Sequence, residues 1–229
     1  MSSYGEAPLK EKDEKVEEEK SKSTPTISES THARSMLIPG VTRLYVKVPL
    51  DRIGVLIGRG GEVIKMVMER TKTKITVDEV NGTVIIEPAS PTTTALDLMK
   101  AQEFIRAISY GFSPERASRV LDEDQVLIVI DLKQYVKPSP NHLARVKGRI
   151  IGEGGKARKN LEEIGNVYIS VYDDYVAIIG DYESANAVRD AILMLIEGRQ
   201  HSTVYRYLDK VMSQIKRRQR LSYWYTEFR

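Results

Sequence analysis

Two short glycine clusters are the residues whose types and spacing could do chemistry, Gly58-Arg59-Gly60-Gly61 and Gly152-Glu153-Gly154-Gly155. Glycine carries no Cβ, so a sugar or phosphate can approach the main chain closely. Where such a turn opens a helix, the free N–H groups of the first helical turn and the helix dipole favour an anion. The chemistry on offer is therefore binding of a phosphate backbone. A P-loop needs Gly-x-x-x-x-Gly-Lys-Ser/Thr, and although Gly155-Lys156 is present, Ile150 and Ala157 break the pattern at both ends. A dinucleotide fingerprint fits Gly152, Gly154 and Ala157 better, with Asp174 downstream. The preceding Arg145-Val146-Lys147-Gly148-Arg149 is too charged for the buried central strand that fingerprint follows. Catalysis has little to work with. His32, His142 and His201 lie far apart, cysteine is absent, and Asp122-Glu123-Asp124 are neighbours that do not share one face. No metal, cofactor or enzymatic activity is expected.

The elements that must position these loops recur with them. Gly54, Ile57, Gly58, Gly60 and Gly61 align with Gly148, Ile151, Gly152, Gly154 and Gly155 at a constant offset of 94 residues. Apolar strands are expected ahead of each loop, at Leu44–Val48 and Gln125–Asp131. Helical spacing follows at Glu62–Arg70 and Lys156–Ile164. Then come paired short strands, Lys74–Val77 with Thr83–Glu87 and Tyr168–Val171 with Tyr175–Ile179, around the turns Asn81-Gly82 and Asp173-Asp174. A long amphipathic helix closes each unit, Thr94–Tyr110 and Tyr182–Gly198. Each unit thus reads β-α-α-β-β-α. Helix, glycine loop and helix in that order resemble the KH module, whose GXXG loop clamps about four nucleotides. The expected fold class is α+β, two type I KH domains in tandem, each a three-stranded antiparallel sheet packed on helices, plus a C-terminal helix. The expected domains are a disordered charged leader (1–40), a first KH domain (41–112), a connecting helix (113–123), a second KH domain (124–199), and a basic helix and tail (200–229).

The candidate RNA-binding residues are Ile57, Gly58, Arg59, Gly60, Gly61 and Lys65 in the first unit. In the second they are Lys147, Arg149, Ile150, Ile151, Gly152, Glu153, Gly154, Gly155, Lys156, Arg158 and Lys159, with Arg145 nearby. Bases are expected in grooves lined by Ile53, Ile57 and Ile75, and by Ile150, Ile151 and Ile169. The Glu153 carboxylate opposes a phosphate, and its six basic neighbours outweigh one screened charge. Gly58→Asp and Gly152→Asp are expected to weaken binding without unfolding the chain. The bland reading, two tight helix–helix turns, explains one such loop as well as a clamp does. It does not explain two loops inside the same succession of elements.

Charge is uneven along the 229 residues. The net charge is +3, yet residues 1–40 hold 6 Lys+Arg against 8 Asp+Glu, and Arg199–Arg229 holds 8 against 2. A basic folded part favours an anionic partner, nucleic acid before membrane. No apolar run approaches the roughly 20 residues of a membrane span, and the absence of cysteine fits an intracellular, cytoplasmic protein. The Lys/Glu-rich leader has too little apolar surface to fold. A further helix is expected from Ser202 to about Arg218, docking through Val204, Leu208, Val211, Met212 and Ile215. Beyond it, Lys216-Arg217-Arg218-Gln219-Arg220 and Tyr223-Trp224-Tyr225 leave two readings open, stacking on bases or anchoring against the second domain.

Gly148-Arg149-Ile150-Ile151-Gly152 with Gly155-Lys156-Ala157-Arg158, and Gly111-Phe112-Ser113-Pro114-Glu115-Arg116-Ala117 followed by Leu121-Asp122-Glu123-Asp124, resemble the archaeal branch of the Partner of Nob One family of small-subunit ribosome assembly factors. The resemblance runs from about residue 42 to 200. It implies a protein that binds the 3′ region of small-subunit ribosomal RNA during maturation; a monomer is expected. It also implies work near a ribosomal RNA endonuclease and a dimethylase, and contact with the alpha subunit of translation initiation factor two. The residues by themselves reach only as far as single-stranded RNA binding. The rival reading is a protein–protein adaptor whose KH folds have turned to docking.

Overall fold

The computed structural model describes residues 43–136 and 139–227, with residues 222–227 described by backbone alone. The expectations for the 1–40 leader and for the side chains of Tyr223, Trp224 and Tyr225 fall outside the described residues. The first domain comprises β1 (Leu44–Lys47), α1 (Leu50–Ile57), α2 (Glu62–Thr71), β2 (Thr73–Asp78), β3 (Thr83–Pro88) and α3 (Ala95–Ser109). A connector of α4 (Pro114–Ala117) and a 3-10 turn (Ser118–Leu121) leads to the second. That domain repeats the order with β4 (Gln125–Asp131), α5 (Pro140–Ile151), α6 (Lys156–Gly165), β5 (Tyr168–Tyr172), β6 (Tyr175–Asp181) and α7 (Tyr182–Ile196), followed by α8 (His201–Glu227). Both sheets are antiparallel, in the orders β1-β3-β2 and β4-β6-β5. The fold is the α+β pair of type I KH domains with a C-terminal helix. The repeat extends to backbone detail: Lys72 and Asn166, 94 residues apart, close α2 and α6 with φ of 50° and 51°.

Local chemistry explains most boundaries. Thr94 and Asp97 form a reciprocal capping box at the start of α3, satisfying two otherwise orphaned N–H groups. The connector departs from the single connecting helix expected within 113–123. Ser118 Oγ donates to the Glu115 carbonyl and the chain tightens into 3-10 geometry. Ser113 occupies the N-cap position, yet its side chain makes no capping bond. Its hydroxyl goes instead to the Glu115 carboxylate, whose pKa it lowers. Helix α8 continues past Arg218 to Glu227, since no glycine or proline interrupts that stretch. Its Val204, Leu208, Met212 and Ile215 are buried in the second domain's core, Val211 is partly buried against it, and Arg206, Lys210 and Lys216–Arg218 stay exposed.

The two sheets differ in what covers their outer faces. In β3 burial alternates, with Val84 and Ile86 inside and Thr83, Ile85 and Glu87 only partly covered. In β6 five consecutive residues, Val176–Gly180, are buried. Val176 and Ile178 belong to the second domain's own core, whereas Ala177 and Ile179 belong to the first domain's core, with Ile108, Phe112, Ala117 and Val120. The end of α3 and the connector therefore pack on the back of the second sheet. Gly111, at φ +92°, fits there because a Cβ would stand 2.8 Å from Tyr172 Cβ and 2.9 Å from Ser170 Oγ. Arg52 of α1 donates to the carbonyls of Ile108 and Phe112, and Tyr172 donates from its hydroxyl to Asp51 at 2.6 Å. On the connector, Arg116 reaches Glu162 at 2.9 Å, and the guanidiniums of Arg116 and Arg119 lie 5.0 and 5.2 Å from the Tyr168 ring centroid.

Ile179→Ala is expected to lower the free energy of unfolding by about 2–4 kcal/mol, as a buried large-to-small change does. Tyr45→Ala, on the 61% exposed outer row of the first sheet, should cost less than about 0.5 kcal/mol. Urea denaturation compares the two, and an Ile179→Ala protein as stable as its parent would mean the interface carries no stability. The Tyr172–Asp51 bond, the largest cause, raises the Tyr172 pKa above its ordinary value of 10.0. The folded pKa being the higher one, this contact stabilises fully below pH 10 and is lost as pH rises through the folded value.

Candidate nucleic-acid interface

Each glycine loop joins two helices of its domain, α1 to α2 and α5 to α6, and the two copies superimpose in torsion space. Gly58, Gly60 and Gly61 have φ/ψ of 74/179°, 60/20° and 80/16°. Gly152, Gly154 and Gly155 have 73/173°, 58/20° and 79/10°. All six positions lie at positive φ, where side chains with a Cβ are strained. The glycines differ in their second requirement. A Cβ on Gly58 would stand 2.4 Å from Val63 Cγ2, and one on Gly152 would stand 2.6 Å from Ala157 Cβ and 2.7 Å from Ala157 N. These first glycines let the following helix close against the loop. Gly60, Gly154 and Gly155 have open space where a Cβ would be, and Gly61 has only Lys65 Cε at 3.8 Å. Their free side faces outward, where a ligand backbone would lie.

The expectation for Gly58→Asp and Gly152→Asp is corrected by this geometry. Those substitutions collide with the next helix and strain the fold, so they do not isolate binding. One further pair emerges from the structure. Gly54 and Gly148 are exposed, interior to α1 and α5, and nothing lies within 4 Å of their Cβ positions. An interior helix glycine costs about 1 kcal/mol against alanine. Among the described residues no packing demands it at either place, so the bare helix surface beside each loop joins the candidate site. The signal was in the sequence, in the matching of Gly54 with Gly148.

The basic and apolar candidates separate into three groups. Arg59, Lys65, Arg145, Lys156 and Lys159 are exposed, and Arg158 is half-buried with its Nε buried and unpartnered among the described residues. Lys147 is engaged elsewhere: its Nζ meets the Asp173 carbonyl at 3.0 Å and Asp174 Oδ1 at 3.3 Å. Asp174 is held below its ordinary pKa, chiefly by the Lys133 hydrogen bond and further by Lys147. Arg149 is engaged too, donating to the carbonyls of Leu195 and Arg199 and so tying α5 to the end of α7. Glu153 is exposed at the loop tip. Among the apolar candidates, Ile57 and Ile151 are half-buried beside their loops. Ile150 is 0% exposed and lies in the core, like its counterpart Leu56. Ile53, Ile75 and Ile169 are core residues as well, so Ile150 and these three line no groove. The reason is helical geometry: adjacent residues point about 100° apart, so Ile150 and Ile151 cannot share a face.

The second domain's edge strand is also tied to the connector. Glu162 accepts the Ile169 N–H at 2.8 Å while it pairs with Arg116. The corresponding residue of the first domain is Met68, which has no carboxylate to offer. The two domains therefore share a loop but not the side chain that holds the edge strand. Among the described residues no group of three His, Cys, Asp or Glu side chains is placed to hold a metal ion, and no helix is long and apolar enough to cross a membrane.

Gly58→Ala and Gly152→Ala should each destabilise the chain by about 2–5 kcal/mol, from strain plus overpacking. Gly60→Asp and Gly154→Asp should cost only about 1 kcal/mol, because aspartate tolerates the left-handed region. Thermal denaturation of the four variants tests this division, which equal destabilisation would overturn. Arg149→Ala should likewise cost about 1–3 kcal/mol through its charge-assisted bonds. Lys156→Ala should leave stability within about 0.5 kcal/mol.

Comparison with known proteins agrees with the fold and the repeat. Residues 126–213 match the family described as eukaryotic type KH-domain (KH-domain type I), and residues 43–96 match the KH domain. A KH domain-containing protein of Methanocaldococcus jannaschii is 38% identical over 172 residues, 75% of each chain. The pre-rRNA-processing protein pno1 of Emericella nidulans is 29% identical over 175 residues, 76% of this chain and 68% of that one. The crystal structure of an a/eIF2alpha-aDim2p-rRNA complex from Pyrococcus horikoshii contains a chain 42% identical to this one, with a TM-score of 0.71, covering 76% of this chain and 95% of that chain. With its two KH repeats and this level of identity over three quarters of its length, the chain belongs to the Pno1/Dim2 family of tandem-KH proteins.

Proposed function

We propose that this protein is a single-stranded RNA-binding factor of ribosome biogenesis that holds the 3′ region of small-subunit ribosomal RNA in its two glycine loops. The observation that carries the proposal is the pair of loops with matching torsions, each opening a helix N-terminus beside a bare helix surface. Backbone approach at Gly58, Gly60 and Gly61, with Arg59 and Lys65, serves one stretch of RNA. Gly152, Gly154 and Gly155, with Lys156, Arg158 and Lys159, serve another. Ile57 and Ile151 give each stretch an apolar contact. Glu153 at the second tip tempers its affinity. Lys147 and Arg149 act indirectly, by holding α5 in place. The naming of relatives as pre-rRNA-processing proteins, and the neighbour solved with ribosomal RNA, support this reading.

The mode of action is stoichiometric binding, without catalysis, by a monomer in the cytoplasm that shields or presents an RNA end to a ribosomal RNA endonuclease. The neighbour solved with a/eIF2alpha supports the alpha subunit of translation initiation factor two as a second partner. The adaptor reading has one observation on its side. The outer face of the first sheet, with Tyr45 61% exposed, is open where the equivalent face of the second sheet is covered.

A salt titration with single-stranded RNA of the small-subunit 3′ end, against duplex and scrambled controls, tests the proposal. Two occupied clamps neutralising about six to eight phosphates give a log–log slope near −4 to −6, at roughly −0.7 per phosphate. Lys156→Ala should lessen the slope by about 0.7, while Arg149→Ala leaves it unchanged. Gly60→Asp with Gly154→Asp should abolish tight binding in a folded protein. Undiminished binding by that double variant would sink the clamps, and no binding to any RNA at low salt would hand the lead to the adaptor reading.

A further inference from the structure

A cavity of about 550 Å³ lies where the two domains meet and belongs to neither glycine loop. The first domain contributes the β1–α1 junction, the β2–β3 turn and the end of α3, and the second contributes the β5–β6 turn. Its walls are largely apolar and aromatic: Leu50, Val80, Tyr110, Tyr172 and Tyr175, with Tyr110 and Tyr175 ring centroids 5.2 Å apart. Leu50 and Val80 are 62% and 83% exposed, two large apolar side chains left wet at one opening. A concave site of this volume, mostly apolar with a few polar groups, has the character of a small-ligand pocket.

We infer that this interdomain cavity is a nucleobase pocket that takes one base of the bound RNA between the two clamps, an inference that rests on the RNA-binding reading above. Three features choose a base over other parts of the strand. Tyrosine and flat apolar walls offer the stacking surface by which unpaired bases are held. The charged lining is mixed, Lys47 against Asp173, with Asp51 beside Tyr172, so the cavity does not favour a phosphate. Its walls also stand on or beside helices that run to both loops. Leu50 begins α1, whose eight residues rise about 12 Å to the first loop. Lys147, which holds the Asp173 carbonyl, lies five residues, about 8 Å, before Gly152. A base inserted there makes contact with both domains and reads their relative placement, which two independent clamps would not.

Leu50→Ser combined with Val80→Ser removes the two exposed walls without touching the core. Affinity for single-stranded RNA long enough to span both loops should fall at least about five-fold in this variant, by loss of stacking. The salt slope should stay unchanged, because a base contact releases no counterions. Titration of the wild-type protein with adenosine and cytidine 5′-monophosphates, followed by amide NMR, should shift Leu50, Val80, Tyr110 and Asp173, and the double variant should lose those shifts. If those amides stay silent while long RNA still binds at the loops, the pocket is overturned and the RNA reading stands. If neither long RNA nor mononucleotide binds, both readings fall. Loss of affinity with a shallower salt slope would overturn the pocket too, since it would mean lost phosphate contacts.

Discussion

Burial of the second sheet on both faces is the constraint on which the rest of the structure depends. Ala177 and Ile179 stand apart from the second domain's own core and complete the core of the first, with Ile108, Phe112, Ala117 and Val120. An apolar face of a sheet must find a cover, and here the cover is the preceding domain's last helix and the connector. The two KH units are thereby joined through a packed interface as well as a covalent link. The close approach at Gly111, the Tyr172–Asp51 bond and the Arg116–Glu162 pair then fix rotation about that contact. The distance between the two loops becomes a property of the fold.

Within each domain a different constraint governs the loop. The first glycine is required by the next helix, and the later ones by positive φ with an open outer side. One part of the motif is thus structural and the other is available to a ligand. That division explains why a substitution in such a motif is interpretable only when its position is known. It also places the helix dipoles of α2 and α6 behind matching loops, the same electrostatic device used twice.

The two copies are not electrostatically equivalent. The first loop carries Arg59 at its tip and the second Glu153, with Lys156, Arg158 and Lys159 on the helix behind it. The second domain's edge strand is held by Glu162, itself paired with Arg116, whereas the first has Met68 at that place. A carboxylate accepts hydrogen bonds and cannot donate them. The two loop surfaces therefore differ in chemistry even though the backbone cradle is the same.

The sequence by itself determined the order of elements, the two loops and their register, because each rests on local requirements. Positive φ demands glycine, helical and strand periodicities show within a few residues, and a repeat at an offset of 94 ties the two readings together. The apolar run Val176–Ile179 even carried a sign of two-sided burial, which alternation alone hides. Only the tertiary structure decided which neighbours in sequence serve different ends. Ile150 is core and Ile151 is not, and Arg149 holds the end of α7 while Lys156 faces solvent. Sequence proximity gathers such residues, whereas direction about a helix and the arrival of elements more than forty residues away assign them. The cavity between the domains was invisible for the same reason, since its walls come from four separate stretches that meet only when α3 lies on the second sheet.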